Sequence, residues 1–188
     1  MAVSSSMVPL GTAAPSFVLP SLDGTKVALA DFAGAPGVLV AFLCNHCPYV
    51  RHVESTLGPA LAGYAAQGIG VVGICSNDTV SHPDDRPEQL RVQAGRAGFT
   101  FPYLLDTDQD VAAAYRAACT PDFFLYDGGL RLAYRGAFDH STPGNDLPVT
   151  GELLTGAVEH VLAGNPVPEP HRASIGCSIK WKPGRGPA

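Results

Sequence analysis

Charge is scarce in this sequence. Its 188 residues hold 12 Lys and Arg against 17 Asp and Glu, a formal net charge of −5, with no basic cluster or stripe. Without such a stripe the chain lacks the electrostatic footprint that nucleic-acid phosphates require, so no nucleic-acid partner is expected. No apolar run reaches the ~18 residues that a membrane-spanning helix needs. The opening segment, Met1 to Pro9, has Ser4, Ser5 and Ser6 but neither a basic stretch nor a long apolar one. A secretory signal is therefore not expected. Cysteine is present in an odd number, at positions 44, 47, 75, 119 and 177. An odd count argues against a fully paired extracellular framework. A reducing cytoplasm is the expected setting, where a cysteine pair is more often catalytic or metal-binding than structural. Internal repeats and low-complexity segments are also missing.

Hydrophobic residues, at 46% of the chain, suffice for one domain with a sizeable core. The expected division is a domain over residues 1–165 and an irregular, Pro- and Gly-rich tail over 166–188. Residues 1–15 read as an irregular arm. Two short apolar stretches around residues 16–19 and 26–29 flank Asp23-Gly24, a hairpin signal. The run from Gly37 to Leu43 has no polar alternation, which implies a central strand covered on both faces. From Cys47 onward, Val50, Val53, Leu57, Leu61 and Tyr64 repeat at helical spacing, with Pro59 predicting a kink or a break. A second buried strand, Ile69 to Cys75, precedes a loop at 81–87 and a helix at 88–97. A strand at 101–105, a helix at 109–118, a β-hairpin turning at Asp127-Gly-Gly, and a helix over 149–162 complete the pattern. Alternating β and α elements imply an α/β fold, a central mixed sheet flanked by helices, with the N-terminal hairpin added.

Cys44-Asn-His-Cys47-Pro48 stands where the first buried strand gives way to a helix. Two cysteines three apart at a helix start lie nearly on one face, close enough to bridge. The unpaired N–H groups of that helix end favour thiolate over thiol. Three readings of the pair are open: redox chemistry, half of a zinc site, or inert thiols. A structural zinc site wants four ligands, and no distant pair repeats the spacing of His46 and His52. No metal or organic cofactor is therefore expected.

A strand, a Cys-x-x-Cys-Pro opening a helix, and a distant Thr120-Pro121 leading into a hairpin resemble the thioredoxin fold. The N-terminal hairpin and the insertion between the βαβ halves resemble its peroxiredoxin-like redoxin branch, the group of alkyl hydroperoxide reductase and thiol-specific antioxidant. The likeness covers roughly residues 10–165. The closing Gly176-Cys-Ser-Ile-Lys-Trp-Lys is similar to that of a bacterial peroxiredoxin-like subfamily bearing Cys-Asn-His-Cys-Pro. Two departures stand out. Where peroxiredoxins carry Thr or Ser three residues before the peroxidatic cysteine, this chain has Cys44, and the slot of their peroxide-polarising Arg falls near Pro121.

The resemblance implies a thiol–disulfide oxidoreductase with Cys44 as the more exposed nucleophile at the helix start and Cys47 as the resolving thiol. Pro121 would be cis, facing the pair and keeping a peptide-binding edge open, with Thr120 beside it. His46 either acidifies a neighbouring thiol or is an exposed filler. Cys119 is either a third redox thiol or a small buried hydrophobe. Cys177, in a Gly-flanked tail, is a thiol that could fold back toward the site. Cys75 reads as packing, Trp181 as a tail anchor, and Asp78, Asp84 and Asp85 as loop solvation and helix starts. Arg135 and Asp139 lie beyond the hairpin. Expected partners are protein or small-molecule disulfides and a thiol reductant, acting on a monomer or weak homodimer. The alternatives are an atypical thiol peroxidase and, from another class, a copper-handling protein using a distal histidine, for which His140 is the candidate.

Overall fold

The structure, a computed structural model, describes residues 2–186. In chain order it runs β1 (Ala2–Ser4), β2 (Val18–Pro20), β3 (Lys26–Ala28), β4 (Gly37–Phe42), α1 (Pro48–Ala66), β5 (Gly70–Cys75), α2 (Pro87–Ala97), β6 (Tyr103–Leu105), α3 (Asp110–Tyr115), β7 (Cys119–Thr120), β8 (Asp122–Asp127), β9 (Leu132–Gly136), α4 (Glu152–Leu162) and β10 (Ile175–Ser178). The central sheet has the order β6-β5-β4-β8-β9. β4, β5 and β6 are mutually parallel, β8 runs antiparallel to β4, and β9 runs antiparallel to β8. β2 and β3 form the expected separate hairpin.

Both faces of the central strand are covered, as its unbroken apolar run requires. Leu39 and Ala41 of β4 join Phe123 and Leu125 of β8 in a core closed by Val50, Val53, Leu57 and Leu61 of α1 and Leu154 and Val158 of α4. The alternate residues Val38, Val40 and Phe42 pack with Phe124 and Tyr126 against Tyr115 of α3 and Phe17 of the N-terminal segment. Alternation along a pleated strand sends neighbours to opposite layers, so one run of sequence builds two cores.

Three local expectations change. Helix α1 continues through Pro59 without a break. Pro59 and Ser55 are both exposed, so the carbonyl that loses its N–H donor faces water instead of a dry core. The N-terminal arm begins with a strand, β1. The tail is irregular except for β10, which pairs antiparallel with β1 on one side and β7 on the other. Its continuation is held by Asn77 and Gln109: Lys180 N–H donates to Asn77 Oδ1, and Gln109 Nε2 donates to the Lys180 carbonyl. Trp181 packs against the second core. Composition hid β10 because its neighbours are Pro and Gly and its pairing partners lie more than fifty residues away.

Candidate active site

β4 delivers the chain to Leu43, and the Cys44-Asn-His-Cys47 loop turns it into α1. Cys47 is the N-cap residue, in extended backbone conformation, and Pro48 is the first helical residue. Proline suits that position because its missing N–H would have had no partner there. The motif therefore precedes the helix and does not form its first turn. This corrects the placement of Cys44: the sulfur next to the positive end of α1 belongs to Cys47. Neither cysteine is the exposed one, since both are fully buried.

A segment absent from the sequence-based site holds this loop. Asp85, completely buried, accepts the Asn45 N–H at 2.7 Å and the His46 N–H at 3.0 Å through one carboxylate oxygen. Its other oxygen meets His46 Nδ1 at 2.6 Å and the Asn77 side-chain amide at 2.8 Å. Burial opposes the charge on Asp85, but the hydrogen bonds from His46 and Asn77 outweigh it and hold the carboxyl below its ordinary range. Gln93 of α2 donates to the Cys44 carbonyl, and Arg96 of the same helix reaches Asn45 Oδ1. Arg51 donates to the Asn45 carbonyl from α1. The loop is thus clamped from two helices and an intervening carboxylate. His46 is mostly buried and serves as Asp85's partner, with its ring 4.8 Å from that of His82. Nothing in the spacing of Asp85, some forty residues from the motif, announces this role.

Thr120 and Pro121 face the pair, and the peptide bond between them is cis. Cys44 Sγ lies 3.1 Å from Thr120 Oγ1, and Cys47 Sγ donates to the Thr120 carbonyl at 3.1 Å. The two thiols differ in acidity. Burial pushes Cys44 well up. Cys47 is drawn down to about 5, first by a hydrogen bond from the Cys44 thiol, against burial, with help from the Cys177 thiol and the N–H groups of Val50 and Cys177. The Thr120 carbonyl, which accepts from the Cys47 thiol, opposes that ionisation. Donors that bond only to the charged form lower its pKa. The direction of these shifts favours Cys47 over Cys44 as the thiolate.

Cys177 belongs to this site as well. It sits opposite Thr120 in the β10–β7 register and is only partly covered. Burial and its hydrogen bond to Cys47 push it up to about 11. The edge that Pro121 was expected to keep open is consequently occupied: β10 pairs along Cys119–Thr120. Cys119 is fully buried, its thiol 3.7 Å from the Pro121 carbonyl, and burial raises it strongly. Cys75 is buried within the first core and also raised.

Asp122, directly after Pro121, is fully buried and pushed up to about 7 by desolvation, with one carboxylate oxygen unpartnered among the described residues. Arg135 pairs with Glu169, and Asp139 accepts N–H groups of Ser141, Thr150 and Gly151, so both stabilise neighbouring loops.

Among the described residues, Cys44, His46 and Asp85 place one potential metal-ligand atom each within 4.8 Å of one another. Both Asp85 oxygens are already committed to N–H donors and His46, which suits a hydrogen-bonded scaffold better than a metal cage. His140 is exposed and stands outside this group. No helix among the described residues is long and apolar enough to cross a membrane.

Comparison with known proteins matches this architecture. The crystal structure of an uncharacterized conserved protein from Geobacillus kaustophilus is 47% identical, covers 97% of each chain and superposes with a TM-score of 0.94. A Mycobacterium tuberculosis protein, provisionally named a peroxiredoxin, is 32% identical over 107 residues, 57% of this chain and 63% of its own. The thiol-disulfide oxidoreductase ResA of Geobacillus thermodenitrificans is 30% identical over 120 residues, 64% of each chain. These alignments span less than two thirds of either curated relative. More distant solved structures, such as a Bacteroides vulgatus thioredoxin domain at 22% identity and TM-score 0.59, share the thioredoxin fold. The family profile of AhpC/TSA matches residues 10–138, and the chain belongs to the AhpC/TSA family.

Proposed function

We propose that this protein is a thiol–disulfide oxidoreductase whose working pair is Cys44 and Cys47. The observation that carries the reading is the Cys47 sulfur itself. It belongs to the N-cap residue of α1, donates to the Thr120 carbonyl beside the cis Pro121, and shares a buried cluster with Cys44 as a second thiol. The name of the ResA relative supports the same chemistry. Cys47 thiolate attacks one sulfur of a substrate disulfide, forming a mixed disulfide, and the other sulfur leaves as a thiol after taking a proton. Cys44 then attacks Cys47 Sγ, the second substrate thiol departs, and the Cys44–Cys47 disulfide remains. A thiol reductant restores the dithiol. Low acidity at the leaving sulfur slows exchange, so an acidified Cys47 speeds its own release in the reverse direction. Protein or small-molecule disulfides are the proposed substrates and the reducing cytoplasm the proposed setting, in keeping with the odd cysteine count.

Insulin-disulfide reduction by the wild type and by Cys44→Ser and Cys47→Ser tests this. Loss of turnover in Cys47→Ser is expected, with mixed disulfides trapped once Cys44→Ser is combined with Cys177→Ser. Normal turnover in both variants would overturn it.

A second reading has one specific support: an acidified cysteine at the helix cap is also what a hydroperoxide needs as nucleophile. Cys47 would be oxidised to the sulfenic acid while the peroxide is reduced to an alcohol or water, and a second thiol would condense with it, releasing water. Stoichiometric peroxide consumption with a sulfenic acid at Cys47 would establish that reading. The Cys44 and Pro121 found in the slots of the family's activating Thr and Arg argue for disulfide exchange instead.

A further inference from the structure

The buried pair has no direct exposure to solvent, whereas a third sulfur beside it does. Cys177 is opposite Thr120 across the antiparallel β10–β7 register. Residues directly opposite in such a pair project their side chains to the same face. Thr120 Oγ1 is 3.1 Å from Cys44 Sγ, and the Thr120 carbonyl is 3.1 Å from Cys47 Sγ, so that face is the one carrying the dithiol. Cys177 packs against the buried cluster that contains Cys44 and Cys47. The close approach is built into the strand. A Cβ on Gly176 would fall 2.0 Å from the Thr120 carbonyl, so glycine alone lets β10 lie this near β7. Cys44 and Cys47 are fully buried, while Cys177 is partly exposed.

We propose that Cys177 is a third redox thiol, which takes the disulfide from the buried Cys44–Cys47 pair and presents it to external thiols as a Cys47–Cys177 bridge. The proposal rests on the dithiol reading above and adds the route by which that pair communicates with solvent. Starting from the Cys44–Cys47 disulfide, Cys177 thiolate attacks Cys47 Sγ. The Cys47–Cys177 bond forms, the Cys44–Cys47 bond breaks, and Cys44 leaves with the electron pair and takes the proton that Cys177 gave up. An external thiol then attacks the exposed Cys177 sulfur, and Cys47 departs as a thiolate. Attack at the accessible sulfur with the acidic sulfur as leaving group is the favourable orientation for exchange. A second external thiol releases the external disulfide and restores Cys177 as a thiol. Across the whole sequence the protein gains two electrons and two protons, and two external thiols become one disulfide.

Two variants test this together. Cys44→Ser, titrated with a limiting amount of diamide, alkylated and mapped by mass spectrometry, should contain a Cys47–Cys177 disulfide. Cys177→Ser should still form the Cys44–Cys47 disulfide, but its reduction by glutathione should slow by about tenfold or more, as expected when the partly exposed thiol beside the pair is removed. Absence of the Cys47–Cys177 bridge in Cys44→Ser, or wild-type reduction rates in Cys177→Ser, would overturn the proposal while leaving the dithiol reading intact. Failure of wild-type protein to form any Cys44–Cys47 disulfide would remove both.

Discussion

Two adjacent parallel strands, β4 and β5, each lead to a buried cysteine, and the two thiols have opposite character. Cys47, in the loop beyond β4, is drawn down to about 5 by converging donors. Cys75, the last residue of β5, sees burial and the nearby Asp85 carboxylate, and is pushed up. Burial is common to both, so burial does not decide reactivity. What decides it is how far donors offset burial: at Cys75 the Asn77 N–H is outweighed by full burial and the Asp85 charge. The same contrast separates two buried carboxylates. Asp85 collects hydrogen bonds from Asn45, His46 and Asn77 and stays ionised, while Asp122 keeps one oxygen unpartnered and rises to about 7.

The sharpest way to break this comparison is to titrate the thiolates by their ultraviolet absorbance. Wild-type protein should show a step near pH 5. Cys47→Ser should lose it and Cys75→Ser should keep it. Cys44→Ser should move it toward the ordinary thiol value of about 8.5. The linkage follows in sign. Cys47 has a folded pKa below its unfolded one, so the unfolded chain binds more protons between the two values. Stability should rise with pH from about 5 to about 8.5, at about 1.4 kcal/mol per pH unit where the difference is complete. A flat urea-midpoint profile across that window would contradict the assignment.

Next in size is Asp85→Asn. Replacing a buried carboxylate that holds two backbone amides and a histidine should cost about 2–3 kcal/mol at neutral pH. Because the folded pKa of Asp85 is depressed, its contribution is present above the unfolded value of about 3.9 and is lost as pH falls through the folded one. The gap in urea midpoint between wild type and variant should therefore close in acid. An undiminished gap below pH 4 would show that the carboxylate's charge is not the cause.

The smallest effect is expected of Gly176→Ala. The new methyl group meets the Thr120 carbonyl at 2.0 Å and must displace β10, at a cost of about 1–3 kcal/mol. Lifting β10 also withdraws two donors from Cys47, so the absorbance step should move up in pH. A destabilised variant with an unmoved step would sever the tail strand from Cys47's acidity.

Much of this was legible in the residues. The non-alternating run Val38–Phe42 declared a strand covered twice, Asp127-Gly-Gly declared its hairpin, and Cys-x-x-Cys-Pro placed a dithiol at a strand-to-helix junction. Those signals are local, and local geometry follows from local sequence. Asp85 reads as loop solvation because Pro83-Asp-Asp resembles any exposed acidic turn. Its burial depends on a loop some forty residues away. β10 is not legible because both partners that make it a strand are distant, and which of the two thiols ionises is not legible because acidity depends on which donors meet a sulfur.

By itself the sequence determined the α/β order of elements, the two-sided burial of the central strand, and the presence of a cysteine pair beside a Thr-Pro. These rest on periodicity, turn chemistry and spacing, which act within a few residues. The tertiary structure alone decided which sulfur is acidified, which carboxylate holds the loop, and that Cys177 completes the site. The last two are contacts across about 40 and 130 residues of chain, and all three depend on distances and donors that spacing does not encode.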